Sequence, residues 1–309
     1  MKHLRFLRYV DEVARAGSIR QAAERLHVAP SAVNRRLLDI EEELGTTIFE
    51  RLPRGMRLTP AGELFLHYIR SREADLDQVR SEIEDLRGIR RGDVRLLASQ
   101  ALAPVFLPQA IAAFRTKHHD VTFQARFGDH VQALAALRAF EIEFALVFNL
   151  APDADIERLA ESGQRLVATM HRSHPLATRG SSLRLRDCAE YPLVLSNRDT
   201  GGRQMLDLFL ARSSVRFNRI IESNSFEFLR AYLCYERAIS FQFAVGPAPQ
   251  QGEIVARDIE DRGFPLGQLV LAQLRGRLLP VAAIRFAEHL KEALGKTPES
   301  KRAKAASAK

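Results

Sequence analysis

Residues 18–62 carry the clearest pattern in the chain and read SIRQAAERLHVAPSAVNRRLLDIEEELGTTIFERLPRGMRLTPAG. Apolar residues recur every three or four positions in IRQAAERL and again in PSAVNRRLLDIEEEL, which is the period of an amphipathic helix. A turn of His27, Val28 and Ala29 separates the two segments, and we expect the Ser18 hydroxyl to cap the first helix. Two helices with such a turn, and a small Ala23 at the crossing, are typical of a helix-turn-helix.

The second predicted helix presents short polar and basic side chains on its outward face, at Ser31, Asn34, Arg35 and Arg36. Such groups suit base edges and phosphates in a major groove. The residues alone also fit an ordinary helical hairpin whose polar face is only solvated. Gly45 is expected to end the helix, since glycine readily adopts the left-handed conformation of a C-cap.

The segment after Gly45 predicts a short two-stranded wing, with FERL and MRLT as its strands and a Pro-Arg-Gly turn between them. Arg51, Arg54 and Arg57 lie on or beside this wing. An arginine at a wing tip can enter the minor groove, where the electrostatic potential is most negative.

Thr59 and Pro60 then predict the start of a long helix, with Thr as N-cap and Pro in the first turn. It continues to Leu86, which gives a length of about 40 Å at 1.5 Å per residue. Its apolar residues form a narrow stripe that predicts a partner helix: Phe65, Ile69, Leu76, Val79, Ile83 and Leu86. Gly88 and Gly92 predict a hinge behind it.

From Asp93 onward, strand and helix patterns alternate, as in VRLLASQ, VFLPQAIAAFRTKH and VTFQARF. Such alternation predicts an α/β region with parallel strands, and its length suits two lobes. Ligands in such folds bind beyond the carboxyl ends of strands, near helix N-termini. The candidate effector-binding residues are Ser99, Gln100, Asn149, Thr200, Gly201 and Ser225, each of which also suits a plain helix cap.

The composition narrows the class of protein. A chain of 309 residues suits two or three domains, and its first seventeen residues resemble neither a signal peptide nor a membrane span, so we expect a cytoplasmic protein. Residues 296–309 carry half of the formal net charge of +8 and predict a disordered basic tail. Net charge is therefore weak support for DNA binding.

No cofactor or metal site is predicted. Cys188 and Cys234 fall where apolar residues would suit a core, so we expect buried structural thiols. The pairs His118–His119 and His171–His174 lack further ligands at suitable spacing and are interpreted as surface or loop histidines. The chain also lacks a phosphate loop and a nucleophile motif, so no enzyme activity is expected.

The stretch from SIRQAAERL to LTPAG, above all ELG followed by FER and LTPAG, resembles the winged helix-turn-helix of LysR-type transcriptional regulators along its whole length. The resemblance implies that Ser31, Asn34 and Arg35 read bases or adjacent phosphates and that Arg54 reaches the minor groove. Relatives usually carry Ser-Gln at Ala29 and Pro30, and Ser at Asn34, so the operator preference is expected to differ. The candidate DNA-binding residues are Pro30, Ser31, Asn34, Arg35, Arg36, Arg51 and Arg54.

The resemblance continues less specifically in HRSHPLA and in the late strand and helix. It implies an α/β effector domain similar to periplasmic binding proteins, with two lobes around a small ligand. It also implies a homodimer on double-stranded DNA, with a homotetramer as the family expectation and RNA polymerase as a possible partner. The expected domains are 1–59 (winged helix-turn-helix), 60–92 (dimerisation helix and hinge), 93–295 (effector domain) and 296–309 (tail). Lobe 1 covers about 93–162 and 267–295, and lobe 2 about 163–266.

Two rival classes stay open at this point. A ligand-binding enzyme or solute-binding protein shares the α/β lobes but leaves residues 1–87 unexplained. An architectural DNA-binding protein would use the basic tail but would give the α/β region no purpose.

Overall fold

The computed structural model describes residues 2–87, 91–180, 182–245 and 252–295. The chain forms two compact units, one built on residues up to Ile83 and the other on the chain from Glu84 onward. The predicted hinge residue Gly88 and the predicted tail, 296–309, lie outside the described residues. In the four described ranges, no helix is long and apolar enough to cross a membrane.

The first unit is helical with a small wing. Its elements are α1 (Lys2–Ala16), α2 (Ile19–Leu26), α3 (Pro30–Leu44), β1 (Phe49–Leu52), β2 (Gly55–Leu58) and α4 (Pro60–Leu86). The bounds of α2, α3 and α4 confirm the helices expected from the apolar period and the caps. Strand β2 begins at Gly55, one residue before the predicted strand, because Pro53 and Arg54 alone make the turn. The apolar patterns do not predict α1.

Helices α2 and α3 cross closely because alanine lies at their contact. Ala23 is buried beside Val33 and Leu37 in one apolar core. His27 closes the turn in the left-handed conformation (φ 55°), and the Val28 N–H donates to the Ala23 carbonyl at 3.0 Å. The close crossing fixes which face of α3 points outward.

Two capping predictions have different outcomes. Gly45 ends α3 in the left-handed conformation (φ 66°), which confirms the predicted C-cap. The prediction that the Ser18 hydroxyl caps α2 is wrong. Ser18 occupies the N-cap position with extended backbone, but its side chain makes no capping hydrogen bond.

The wing is fastened to α3 and α4 by hydrogen bonds at its base. Glu41 of α3 accepts from the backbone N–H groups of Ile48 (2.8 Å) and Phe49 (3.2 Å). The Thr59 hydroxyl accepts from the Gly62 N–H at 3.0 Å, which confirms the predicted N-cap of α4. Position 62 requires glycine, because a Cβ there would overlap the Ile48 carbonyl oxygen. The wing therefore keeps a fixed position beside α3.

The predicted apolar stripe of α4 divides into two parts. Ile69 is fully buried in the core of its own helix-turn-helix, and Phe65 packs against that core. Farther along, Val79, Ile83 and Leu86 are 45%, 46% and 89% exposed. Only the second part of the stripe is thus available to a partner helix.

The second unit contains the α/β region. Its elements are β3 (Gly92–Ala98), α5 (Phe106–Arg115), β4 (Val121–Phe127), α6 (His130–Arg138), β5 (Phe144–Phe148), β6 (Ile156–Gln164), β7 (Leu166–His171), β8 (Ser182–Leu183), α7 (Leu185–Cys188), β9 (Leu193–Ser196), α8 (Gly201–Leu210), β10 (Arg219–Ser223), α9 (Phe226–Tyr232), β11 (Ser240–Phe243), β12 (Ile254–Ile259), β13 (Gly267–Leu274) and α10 (Val281–Gly295). The predictions do not include β6, β8, β12 or α7.

The first sheet has the order β4-β3-β5-β13-β6. Strands β3, β4 and β5 are parallel, as predicted, whereas β13 pairs antiparallel with β5 and with β6. The prediction of parallel pairing is therefore confirmed for β3, β4 and β5 and wrong for β13. Helix α10 packs on this sheet, where Phe286 meets Phe114 and Phe123 edge to face.

The second sheet is also mixed. Its strands follow the order β11-β7-β12-β8, and the parallel pair β10-β9 joins them through a bridge between Leu193 and Ile239. Strand β7 is antiparallel to β11 and to β12. In the first sheet the parallel group is β3, β4 and β5. In the second sheet β9 and β10 form one parallel pair and β8 and β12 another.

Candidate DNA interface and effector cleft

The outward face of α3 begins with an open helix end. Ala29 at the N-cap offers no side-chain acceptor, and the first turn holds no acidic residue. Pro30, Ser31 and Arg35 are exposed there. Free backbone N–H groups at such an end suit a phosphate oxygen, and the neighbouring side chains can reach base edges.

The other basic residues of this surface are held by intramolecular partners. Arg51 on the wing donates to the Asn34 side-chain oxygen at 2.9 Å, which brings β1 alongside the polar face of α3. Arg36 pairs with Asp39 at 3.0 Å, one turn farther along the helix. The predicted recognition helix and the wing therefore form one continuous polar and basic surface.

Arg54 lies at the tip of the wing, in the two-residue turn between β1 and β2, and is exposed. By contrast, Arg57 on the wing is paired with Glu50 at 2.6 Å. Among the described residues, neither Arg54 nor Arg35 has a carboxylate within ion-pairing distance. Both can therefore approach DNA without breaking an internal pair.

In the second unit, a cavity of about 170 Å³ lies between the two sheets. Its walls come from the carboxyl ends of the parallel strands, where ligands of α/β folds bind. Four of the predicted effector residues line it: Ser99 and Gln100 after β3, and Thr200 and Gly201 at the start of α8. The other lining residues are Phe127, Gly128, Asp129, His130, Gln132, Val147, Phe148, Asn197, Asp199, Asn224 and Phe226.

Comparison with known families identifies both units. Residues 4–63 match the model of the bacterial regulatory helix-turn-helix protein, lysR family, and residues 87–295 match the LysR substrate binding domain. The chain belongs to the LysR family of transcriptional regulators. This family consists of regulators and not enzymes, which excludes the rival enzyme class.

Relatives across the family share this organisation. The RuBisCO operon transcriptional regulator of Allochromatium vinosum is 26% identical over 92% of this chain and 94% of its own. The HTH-type transcriptional regulator CbbR of Rhizobium meliloti is 32% identical over 67% of this chain and 66% of its own. They support a regulator with a DNA-binding helix-turn-helix and an effector-binding domain.

Solved structures share the fold. Full-length CbnR, crystallised with its target DNA, aligns with a TM-score of 0.63 at 21% identity, covering 94% of this chain and 99% of that one. HinK, a LysR family regulator of Pseudomonas aeruginosa, aligns with a TM-score of 0.56 at 22% identity, covering 95% and 99%. The fold is therefore a winged helix-turn-helix followed by a two-lobed, mixed α/β effector domain.

In this LysR-type regulator, Gln100 connects the two lobes across the cleft. Its amide nitrogen donates to the Asn224 carbonyl at 2.7 Å, and its amide oxygen accepts from the Phe226 N–H at 3.1 Å. Both ends of one side chain are thus bonded to the loop between β10 and α9. Anything that recruits the Gln100 amide competes with this connection.

The two remaining predicted effector residues do not line the cavity. Asn149 adopts the left-handed conformation (φ 52°), donates to the Gly201 carbonyl at 3.1 Å and accepts from the Gln268 N–H at 2.9 Å. Ser225 caps α9 by accepting from the Phe228 N–H at 3.2 Å. Both side chains hold the frame of the cleft, and the cavity gives no support to a direct effector contact.

Sequence reasoning missed several lining residues, notably Asp129, His130, Gln132, Asn197 and Asp199. The first three follow β4, which was predicted from VTFQARF, and the last two follow β9. The rule that ligands bind beyond the carboxyl ends of strands would have pointed to them as well.

The predictions for cysteine and histidine need two corrections. Cys188 is buried, and burial raises the pKa of its thiol to about 12, whereas Cys234 lies after the end of α9 and is exposed. His174 lies in a loop, as predicted, but it is not on the surface. It is buried edge to face against Tyr191, its Nδ1 accepts from the Leu176 N–H at 3.1 Å, and burial lowers its pKa. The described residues contain no cluster suited to a metal ion.

Replacing Gln100 by leucine is expected to loosen the loop after β10. Two hydrogen bonds of about 1 kcal/mol each are lost, so amide exchange at Phe226 should rise about tenfold or more. Hydrogen–deuterium exchange of peptides spanning 223–228 measures this. Gln132→Leu is the matched control, because Gln132 accepts from the Asp129 N–H within its own lobe. Unchanged exchange in Gln100→Leu would show that the connection does not hold the loop.

Proposed function

We propose that a dimer of this regulator binds an approximately palindromic operator and that a small molecule in the cleft changes how the subunits are arranged. The hydrogen bond between Arg51 and Asn34 is the observation on which the DNA part depends. It joins the wing to the outward face of α3, so that both can meet one stretch of duplex. The effector part depends on the cavity between the lobes.

We assign different roles to the residues of the DNA surface. Ser31, Asn34 and Arg35 would contact base edges or adjacent phosphates in the major groove, with Pro30 setting the start of the helix. Arg36 and Arg51 keep internal partners and suit phosphates, which position the protein without reading sequence. Arg54 at the wing tip would enter the minor groove.

Arg54→Ala is expected to weaken operator binding about tenfold, with the largest loss where A·T-rich DNA flanks the recognition site. The reason is that a narrow A·T minor groove attracts an inserted arginine most strongly. Fluorescence anisotropy with the DNA upstream of the protein's own gene, and with flanks changed to G·C, measures the difference.

Arg57→Ala is the control for Arg54, since Arg57 lies on the same wing but is paired with Glu50. It should change affinity by less than about fivefold, because an exposed ion pair is worth at most about 1 kcal/mol. An equal loss on all DNA with Arg54→Ala would mean that Arg54 contacts phosphate only and that the minor-groove role is wrong.

We further propose that α4 pairs with α4 of a second subunit through Val79, Ile83 and Leu86. One helix-turn-helix gives little specificity, whereas a dimer reads two half-sites. Assembly into a tetramer and contact with RNA polymerase are extensions of this proposal that rest on the family alone. Since its partner is chromosomal DNA, we place its action in the bacterial cytoplasm.

Ile83→Glu is expected to halve the mass in solution, because the charge would be buried in the helix pair without a partner. Light scattering coupled to size-exclusion chromatography measures the mass. Arg80→Glu, an exposed position off the stripe, is the matched control and should keep the mass of the unchanged protein. An unchanged mass with Ile83→Glu would refute pairing through this part of α4.

For the effector, we propose contacts with Ser99, Gln100, Thr200 and Gly201 in the cleft. A ligand that bonds the Gln100 amide would change its connection to the second lobe, and this differential contact could bias the subunit arrangement.

The proposed domains are 1–59 for DNA binding, 60–92 for pairing and hinge, and 93–295 for the effector.

A further inference from the structure

The charges that line the cleft are unbalanced. Among the cavity's lining residues within the described chain, Asp129 and Asp199 are carboxylates, His130 is the one other titratable group, and there is no lysine or arginine. This is notable in a chain whose formal net charge is +8. If the cavity holds the effector, as proposed above, its charge restricts the class of molecule that can bind.

Both carboxylates retain capacity to accept hydrogen bonds. Asp129 caps α6 through one oxygen, which accepts from the Gln132 N–H at 2.8 Å. Among the described residues, its second oxygen has no hydrogen-bond donor. Asp199 is exposed just before α8 and has no partner in the described chain either. A ligand donor could therefore bond either carboxylate without displacing an internal partner.

An anionic ligand would meet repulsion from these groups. Two like charges about 4 Å apart repel by about 4 kcal/mol at an effective dielectric constant of 20. A helix N-terminus attracts an anion by only about 0.3–1 kcal/mol at an exposed site. Asp129 also lies at the N-terminus of α6 and offsets its partial positive charge. The net field in the cavity therefore favours a cation.

The apolar part of the lining is also suited to a cation. Phe127, Phe148 and Phe226 contribute to the walls. An ammonium group over an aromatic face gains about 0.5–2 kcal/mol, depending on how far it is desolvated. Phe148 is already stacked on Phe243 with ring centroids 3.8 Å apart, so its position is fixed in advance.

The start of α8 provides a complementary feature. The first N–H groups of a helix have no intrahelical acceptor, and the Thr200 side chain at the N-cap of α8 does not accept from them. The Ser99 hydroxyl makes no capping bond. An oxygen of the ligand could accept from these donors while its cationic group faces the carboxylates.

The volume of the cavity indicates the size of ligand that fits inside it. A cavity of about 150 Å³ holds benzene in a protein interior, and this one measures about 170 Å³. We propose that the effector is a small protonated amine of about six to ten non-hydrogen atoms, with Asp129 and Asp199 as the counter-charges.

The test compares three probes of similar size and different charge: benzylamine, benzyl alcohol and benzoate. Isothermal titration of the full-length protein at pH 7 and constant ionic strength should give at least tenfold tighter binding of benzylamine than of benzoate. Tighter binding of benzoate or of the alcohol would overturn the proposal. So would the absence of benzylamine binding up to 10 mM.

Two variants test whether the carboxylates cause the preference for benzylamine. Asp129→Asn and Asp199→Asn should each weaken benzylamine binding at least fivefold and leave benzyl alcohol unchanged. Asparagine can still cap α6, so Asp129→Asn is expected to fold. Asp120→Asn, on the surface outside the cavity, is the matched control. If neither cavity variant changes benzylamine binding, the proposal is wrong.

The outcome is separable from that of the proposed function. DNA binding by the same preparations, without any probe, depends on α3 and the wing and should not change in the cavity variants. Loss of specific DNA binding in the unchanged protein would contradict the regulator itself. Failure of the amine test with intact DNA binding would contradict only the effector class.

Discussion

The close crossing of α2 and α3 is the constraint on which the DNA-binding unit depends. Ala23 leaves room for Val33 and Leu37, and the left-handed His27 closes the turn between the helices. A larger side chain at Ala23 would force the helices apart, since overpacking a core typically costs about 1–3 kcal/mol. Because Glu41 on α3 then fixes the base of the wing, the position of Arg54 follows from the same contact. Side chains that must match the spacing of a duplex need such a rigid support.

The effector domain obeys a different constraint, which is that parallel strands present their carboxyl ends on one side. Two such groups face each other across the cleft, and the loops and helix starts that follow them supply the polar residues there. Gln100 spans the gap, so the lobes are connected through a side chain that a ligand can also contact. An empty and an occupied cleft would therefore differ in a specific set of hydrogen bonds, which is the physical requirement for a ligand to shift an equilibrium.

Local signals predicted α3 and α4 of the DNA-binding unit well, because α3 begins at Pro30 and ends at Gly45, and α4 begins at Thr59 and Pro60. The α/β region depends on distant partners and was predicted less completely. Strand β6 is polar and exists because it pairs with β13, about a hundred residues away. The antiparallel direction of β13 in the first sheet depends on the same long-range pairing. In the cleft, Ser99 and Thr200 could be predicted because each comes after the carboxyl end of a strand. Asn149 donates to the Gly201 carbonyl and does not line the cavity, because its backbone is left-handed. No sequence pattern predicted that conformation.

The most direct measurement is footprinting of the purified protein on the DNA immediately upstream of its own gene, at several salt concentrations and with competitor DNA. A specific dimeric regulator should protect a roughly dyad-symmetric site that persists when competitor is added and salt is raised to physiological strength. Only diffuse protection that disappears with salt would contradict this account, because it would mean that the chain binds DNA by charge alone.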